Sequence, residues 1–348
     1  MRQHKFWTIL STTILLGAVT VGASGCGVTA SGSSATDSIT IVWYPNESAA
    51  DFAPARDEIA QFVKQATGKK VTNMTTTDYT VAIQAISSGK AQLAYMGAQG
   101  YVQANEQNPT VLPLFTYSGP SGTLSDAMYY SMICVNTADA SHYLSGGTYS
   151  IENIAGERMS FVSQSSTSGW AIPTSAIVGF FKSQSQWSNL KADDLAQGGS
   201  GKLFSTVLFG NSHQGSAVNL LTGKVDVAAF DDDDLTPYVH LASGTANTAG
   251  AVYEVINAAS APFDTLAGKE FTVIGAYPVL NEPFVYNSAA LGEADAQKIL
   301  TIMTSNTVSD DTLIFDPNGK GLLGKTENEH FVKVTDDWYQ PIRDLGDE

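Results

Sequence analysis

The sequence predicts an α/β layered fold with a largely parallel sheet, and three observations predict it. Short apolar runs alternate with segments of helical period in the order strand–helix–strand–helix. The helical segments close on glycines, at Gly68, Gly89 and Gly223, where a left-handed C′ residue is expected. One helix–Gly-Lys–strand unit also occurs twice. Aligned without gaps, residues 78–94 (DYTVAIQAISSGKAQLA) and 212–228 (SHQGSAVNLLTGKVDVA) place Asp78 on Ser212, Tyr79 on His213 and Gly89-Lys90 on Gly223-Lys224. Two copies of a βαβ element imply two similar lobes, each pointing a helix N-terminus and a loop at a shared cleft. The plainer reading is that such units recur by chance in α/β chains.

Taken in order, residues 38–44 (SITIVWY) read as a first strand and 45–48 as the loop that ends it. Ile59, Phe62, Val63 and Ala66 recur at i, i+3, i+4 and i+7, one face of an amphipathic helix. Val71 opens a short strand and Asp78 is placed to cap the next helix, whose apolar face is Tyr79, Ala82, Ile83 and Ile86. Residues 92–96 form a strand running into the loop Gly97 to Tyr101, and 111–117 and 128–135 are two more strands. Residues 159–162 are a strand, and Ile172, Ala176, Ile177, Phe180 and Phe181 a helical face. Strands at 205–209 and 225–230 bracket the second repeat helix. Residues 271–277 and 283–286 read as strands, 294–303 as a helix and 338–341 as a terminal helix or turn.

The chain ends of this plan carry their own signals. Arg2, His4 and Lys5 precede an apolar stretch over 6–21, and Ala23-Ser24-Gly25-Cys26 follows it. Small residues before a cysteine resemble a bacterial lipobox, cleaved before Cys26, which then carries lipid; Ala23 stands where leucine is usual, and an ordinary signal peptide is the alternative. Either way residues 1–25 are a targeting segment outside the fold. Residues 26–37 are rich in Gly, Ser, Thr and Ala and read as a flexible tether. With Cys26 lipidated, Cys134 is unpaired and, inside an apolar run, reads as a buried core thiol.

The 348 residues carry 18 basic and 34 acidic side chains, a net charge of −16. Removing residues 1–25 takes away Arg2 and Lys5, leaving 16 basic against 34 acidic residues, a net of −18. This balance argues against a nucleic acid or an anionic membrane surface as partner. It also means that any anion must be held by local donors.

The stretch 163–173 (SQSSTSGWAIP) is where such donors gather. A strand ends there in Ser163, Ser165, Ser166, Thr167, Ser168 and Gly169, and a helix follows. The first N–H groups of a helix lack intrahelical partners and sit at the positive end of its dipole. Hydroxyls add donors, and a glycine admits an oxyanion to the backbone. A Ser/Thr N-cap in a surface loop is the alternative. His213 stands at the start of the second repeat helix, where Tyr79 stands in the first, and so aims at the same cleft as a donor. The acid run 231–234 closes a strand; Asp231 or Asp232 either faces the cleft or lies on a solvated loop. Residues 319–326 (GKGLLGKT) fit the P-loop pattern, but only 22 residues follow Thr326, too few for a nucleotide sheet, so a glycine-rich turn is the better reading. No second histidine lies at metal-ligand spacing, and neither a GxSxG elbow nor a nucleophile–base pair is present; no metal, cofactor or catalytic residue is expected.

These residues resemble the phosphonate/phosphite/phosphate-binding proteins of bacterial ABC importers, the PhnD-like family. The resemblance is carried by 44–49 (YPNESA), 76–97, Tyr101, 165–173 (SSTSGWAIP), 210–231 and 283–286 (PFVY), and covers roughly residues 38–345. It implies a two-lobed type II periplasmic-binding-protein fold whose lobes are joined by two hinge strands. The lobes are then expected at 38–130 with 262–348, and at 131–261. The resemblance implies that Ser166, Thr167 and Ser168 bind a phosphorus oxyanion, that His213 donates from the second repeat, and that Tyr101 and Tyr79 close the other side. Glu47 and Ser48 would line the first loop and Asp231 would accept at the rim. Met96 and Gln214 stand where some relatives have an aromatic and an acid. The implied function is a monomeric, non-enzymatic, lipid-anchored extracytoplasmic receptor that delivers the oxyanion to a permease and its ATPase. A ligand-presenting protein of a sensor system is the alternative.

Overall fold

The computed structural model describes residues 37–345. Two mixed sheets organise them, each between two layers of helix. The first contains strands β1 (Ser38–Trp43), β2 (Lys70–Thr75), β3 (Leu93–Tyr95) and β4 (Val111–Tyr117). The second contains β5 (Met128–Asn136), β6 (Arg158–Phe161), β7 (Thr206–Phe209), β8 (Val227–Asp231), β9 (Val239–Ser243), β10 (Val252–Val255) and β11 (Glu270–Leu280). The chain then returns to the first sheet with β12 (Pro283–Asn287) and β13 (Phe331–Lys333). The orders are β13-β4-β12-β3-β1-β2 and β9-β10-β11-β5-β8-β6-β7.

Only part of each sheet is parallel. In the first, β1 pairs in parallel with β2 and β3; in the second, β6 does so with β7 and β8. The other pairings are antiparallel. The sequence overstates the parallel content because apolar runs do not reveal direction. The three parallel strands of each sheet have the same arrangement. α1 (Ala53–Thr67) and α2 (Tyr79–Ser87) connect β1, β2 and β3, while α4 (Ile172–Phe181) and α5 (His213–Leu221) connect β6, β7 and β8; α3 (Ala98–Gln107) follows β3. The repeat read from residues 78–94 and 212–228 is thus one half of a larger repeat. Its caps agree in kind: Asp78 accepts from the Thr80 N–H at 2.7 Å and Ser212 from the Gly215 N–H at 2.9 Å.

Strand alternation sorts the core. Ile39, Ile41 and Trp43 face α1 and α6 (Glu293–Met303), while Val42 and Ala94 face α2 and α3. In the second sheet, Met159 and Phe161 face α4, and Cys134 and Phe230 face α5. Cys134 is fully buried, and that burial pushes its thiol pKa up.

The crossovers differ from the boundaries expected at 130/131 and 261/262. β5 pairs with β11 from Met128↔Leu280 to Asn136↔Phe271, so both strands belong wholly to the second sheet. The chain passes between sheets at 118–127 and at 281–282. The pairing partner, not the run itself, decides this. Four of these elements were not visible in the pattern. α3 has a weakly apolar sequence interrupted by Gly100, β9 and β10 lie at or next to an exposed edge of the second sheet, and β13 is a three-residue strand at the edge of the first. Cys26 and the targeting segment lie outside the described residues. Among those described, no helix is long and apolar enough to cross a membrane.

Candidate functional site

The loops that follow β1 and β6, equivalent in the two repeats, lie at the carboxyl ends of the parallel strands, where α/β folds place ligands; the loop after β1 meets the start of α5, and the loop after β6 meets the start of α3. From the second sheet comes Ser166, which caps a π-helical turn, Thr167–Ala171, continuous with α4. Its Oγ accepts from the Gly169 N–H at 3.0 Å and lies 3.3 Å from His213 Nε2. Ser166, Thr167, Ser168 and His213 are all buried. From the first sheet, Asn46 reaches across. Its Oδ1 accepts from the Tyr79 hydroxyl at 3.1 Å and from the His213 N–H at 3.2 Å, so the equivalent first residues of the two repeat helices share one acceptor. A second bridge is made by the Gln99 N–H, which donates to Thr167 Oγ1 at 2.9 Å. This approach requires Gly97, where a Cβ would stand 2.8 Å from Thr167 Oγ1. Gly100 is required for the same reason: a Cβ there would fall 1.7 Å from the Tyr44 hydroxyl oxygen.

The donors converge on Asp231. The Ser168 hydroxyl donates to Asp231 Oδ2 at 3.2 Å, His213 Nε2 lies 3.2 Å from the same oxygen, and the Asp234 N–H donates to Oδ1 at 3.2 Å. The Asp231 N–H in turn donates to His213 Nδ1 at 3.0 Å. Since Nδ1 accepts, the ring hydrogen is on Nε2, which makes the imidazole a donor toward Ser166 and Asp231. Burial pushes the His213 pKa down to about 3, so the ring is neutral. The same tautomer answers a question the side chains raise. His213, Asp231 and Asp234 offer ligand atoms within 4.8 Å of one another, a grouping that sequence spacing did not suggest. With Nδ1 committed to a backbone N–H and Nε2 carrying hydrogen, the ring has no lone pair for a metal, and the trio does not form a metal centre.

Carboxylates crowd the floor of the site. Glu47, Asp231, Asp233, Asp234 and Glu282 face one cavity of about 10 Å³, closed by Leu322 and Leu323. Glu47, Asp231 and Asp234 are buried; Glu282, at the second crossover, is partly so, and Asp233 reaches solvent. Burial first, and then neighbouring acids, raise the pKa of Glu47, Asp231 and Asp234. Burial pushes Glu282 up to about 7, against the hydrogen bond to Tyr95.

Of the residues read from the sequence, the structure brings Ser166, Thr167, Ser168, His213, Asp231, Tyr79 and Glu47 together. Asp231 is deeply buried, not at the rim, because β8 ends inside the cleft. Two residues are elsewhere. The Tyr101 hydroxyl donates to Asp336 Oδ1 at 2.5 Å and its ring lies beneath the Arg343 guanidinium, since the segment read as a loop is helix α3 and turns the side chain away. Ser48 Oγ donates to the Tyr44 carbonyl at 2.7 Å and accepts from the Thr76 N–H, which makes it a turn residue. Residues 319–326 run from a turn, with Asp316 accepting from the N–H groups of Asn318 and Lys320, into a two-residue strand, Leu323–Gly324, that pairs with Phe315–Asp316. Tyr44, Asn46, Tyr129, Asp234 and Glu282 were missed. The equivalence of the loops after β1 and β6 is the signal that would have found Asn46. Tyr129 and Glu282 sit at the crossovers, where the local sequence carries no such signal.

This architecture has known counterparts. The family described as periplasmic substrate-binding protein of phosphonate ABC transporters matches residues 41–339. The chain belongs to this family. A phosphate-import protein PhnD from Mycolicibacterium smegmatis is 27% identical over 237 residues, which span 66% of this chain and 66% of that relative. Two solved structures share the fold. PhnD1 from Prochlorococcus marinus, in complex with methylphosphonate, gives a TM-score of 0.62 at 16% identity and covers 89% of this chain and 97% of its own. The binding-protein component of a phosphonate ABC transporter from Pseudomonas aeruginosa gives 0.63 at 18% identity, covering 89% and 85%. The two sheets joined by two crossovers are the two-lobed periplasmic-binding-protein fold, and membership of the family gives the chain an extracytoplasmic place.

Proposed function

We propose that this chain captures a small phosphorus oxyanion (phosphonate, phosphite or phosphate) between its lobes and delivers it to an ABC permease and its ATPase, without chemical change to the ligand. The observation that carries this reading is the convergence of Ser168 Oγ and His213 Nε2 on a single buried oxygen, that of Asp231, beside the N-terminal turn of α4. Neutral donors at a helix start suit an oxyanion that must be both bound and released. Ser166, Thr167, Ser168 and His213 are its contacts, with Tyr79 and Asn46 joining the lobes behind them and Glu47 facing the floor. The methylphosphonate held by the Prochlorococcus relative and the phosphate-import name of the Mycolicibacterium one support the ligand class. Lipid on Cys26 would tether the protein to the membrane; an acylated N-terminus at Cys26 in mass spectra tests this. Calorimetry with methylphosphonate, phosphite and phosphate tests the ligand: at least one should bind and remain intact on recovery. Absence of binding by all three would overturn the reading.

A further inference from the structure

The floor of the site raises a problem that its donors do not solve. Five carboxyl groups face one cavity of about 10 Å³, room for about one water molecule. They arrive from separate parts of the chain: Glu47 from the loop after β1, Asp231, Asp233 and Asp234 from the end of β8, and Glu282 from the second crossover. None forms an ion pair with a lysine or arginine among the described residues. Arg56, the cation that acts on Glu47, gives its Nη1 to the carbonyl oxygens of Glu47 and Ala49 instead. The other groups facing Glu282 are uncharged. They are Tyr95 from β3, Tyr129 from β5 and, nearby, Tyr44, Tyr117 and Tyr339; His213 is held neutral by its tautomer. Among the described residues four buried side-chain atoms have no hydrogen-bond partner: Glu47 Oε2, the Tyr44 hydroxyl, Asn281 Oδ1 next to Glu282 in the crossover, and Trp187 Nε1. Glu47, Asp231 and Asp234 are buried here, and several ionised carboxylates beside an oxyanion would each need a counter-charge that this floor does not offer.

On the reading that this cleft holds an oxyanion, we propose that closure of the lobes takes up protons onto these carboxyl groups, with Glu282 setting the pH above which the closed, ligand-bound state gives way. Glu282 is placed for this. It lies in the two-residue crossover itself, between the ends of β11 and β12, and its backbone carbonyl accepts from Thr116 Oγ1 of β4 at 2.8 Å. Its side chain therefore senses both lobes. In an open state water would reach these acids and return them toward the ordinary value, 4.5 for a glutamate; where the lobes enclose them, burial raises Glu282 to about 7 and raises Glu47 as well. Between those values the open state has lost a proton that the closed state keeps. Closing then binds that proton, and affinity falls as pH rises, about tenfold per pH unit for each proton taken up.

Calorimetry of methylphosphonate with the purified protein, at pH 6, 7 and 8 and in pairs of buffers differing in ionisation enthalpy, counts the protons. The wild type should take up protons, and Glu282→Gln should take up about one fewer near pH 6 and bind more tightly than wild type at pH 8. The ligand's own ionisation is common to both and cancels. Should Glu282→Gln fail to fold, Glu47→Gln removes a second carboxyl group that burial pushes up, and it should also take up fewer protons than wild type. Equal proton counts in wild type and a folded variant, or a wild type that takes up none beyond the ligand's share, would overturn the proposal while leaving oxyanion capture intact. No binding of methylphosphonate, phosphite or phosphate at any pH would overturn both.

Discussion

Ser168 Oγ and Asp231 Oδ2 lie 3.2 Å apart, so a carboxylate of the protein occupies the place where the oxyanion donors converge. A charged ligand oxygen entering there meets a like charge, and either the carboxyl or the ligand must carry a proton. Asp231→Asn preserves the shape and removes the charge. Its binding of methylphosphonate at pH 8 should be at least about tenfold tighter than that of wild type, since 1.4 kcal/mol is a factor of ten and like charges this close cost more than that. Weaker binding by a folded variant would mean that Asp231 accepts a hydrogen from the ligand instead of competing with it.

Thr167 Oγ1 joins the lobes by accepting the Gln99 N–H. Thr167→Val keeps the volume and leaves that half-buried N–H unpaired in the closed state, at a cost of about 1–3 kcal/mol. Affinity should fall by roughly fivefold to a hundredfold, while the ligand-free protein, if its lobes open, melts near the wild-type temperature. A variant with wild-type affinity and an earlier melt would return this threonine to the role of a helix cap.

Tyr101 gives the opposite expectation. Its hydroxyl serves Asp336 and its ring serves Arg343, both near the C-terminus. Tyr101→Phe should bind methylphosphonate within about twofold of wild type and lose about 1.5–3 kcal/mol of stability, the worth of a hydrogen bond to a charged group. Thermal melts and calorimetry on one preparation separate the two effects.

The sequence revealed the half of the site that depends on local chemistry. Ser166 to Ser168 and His213 were legible because hydroxyls before a helix, and a histidine at a capped helix start, announce donors at short range. The crossovers were not legible. β5 and β11 read as apolar strands whichever sheet they join, and only their mutual pairing decides it. Glu282 follows from that pairing. The burial of Asp231, for which the acid run left a cleft-facing residue and a solvated loop both open, follows from the pairing of β8 with β5. Tyr101 failed for a local reason: Gly97 and Gly100, read as loop residues, are small because Thr167 and Tyr44 press against the start of α3.

His213 makes the last prediction. Its ring is buried and neutral, with a pKa held down to about 3 against 6.5 in the exposed side chain. Below pH 6.5 the unfolded chain binds a proton that the folded chain refuses, so stability is full above that pH and is lost as pH falls toward 3. The loss attributable to this one residue is about 1.4 kcal/mol per pH unit across that window. The buried acids act in the reverse sense, gaining relative stability as pH falls, so the histidine must be isolated by substitution. His213→Gln retains a side-chain amide that can hydrogen-bond but cannot titrate. Melting temperatures measured from pH 7 to pH 4 should fall less steeply for the variant than for wild type, with affinity for methylphosphonate reduced about tenfold to a hundredfold at pH 7 by loss of the Nε2–H donor. Parallel melting curves together with wild-type affinity would show that His213 neither carries its proton on Nε2 toward the ligand nor is kept neutral by the fold.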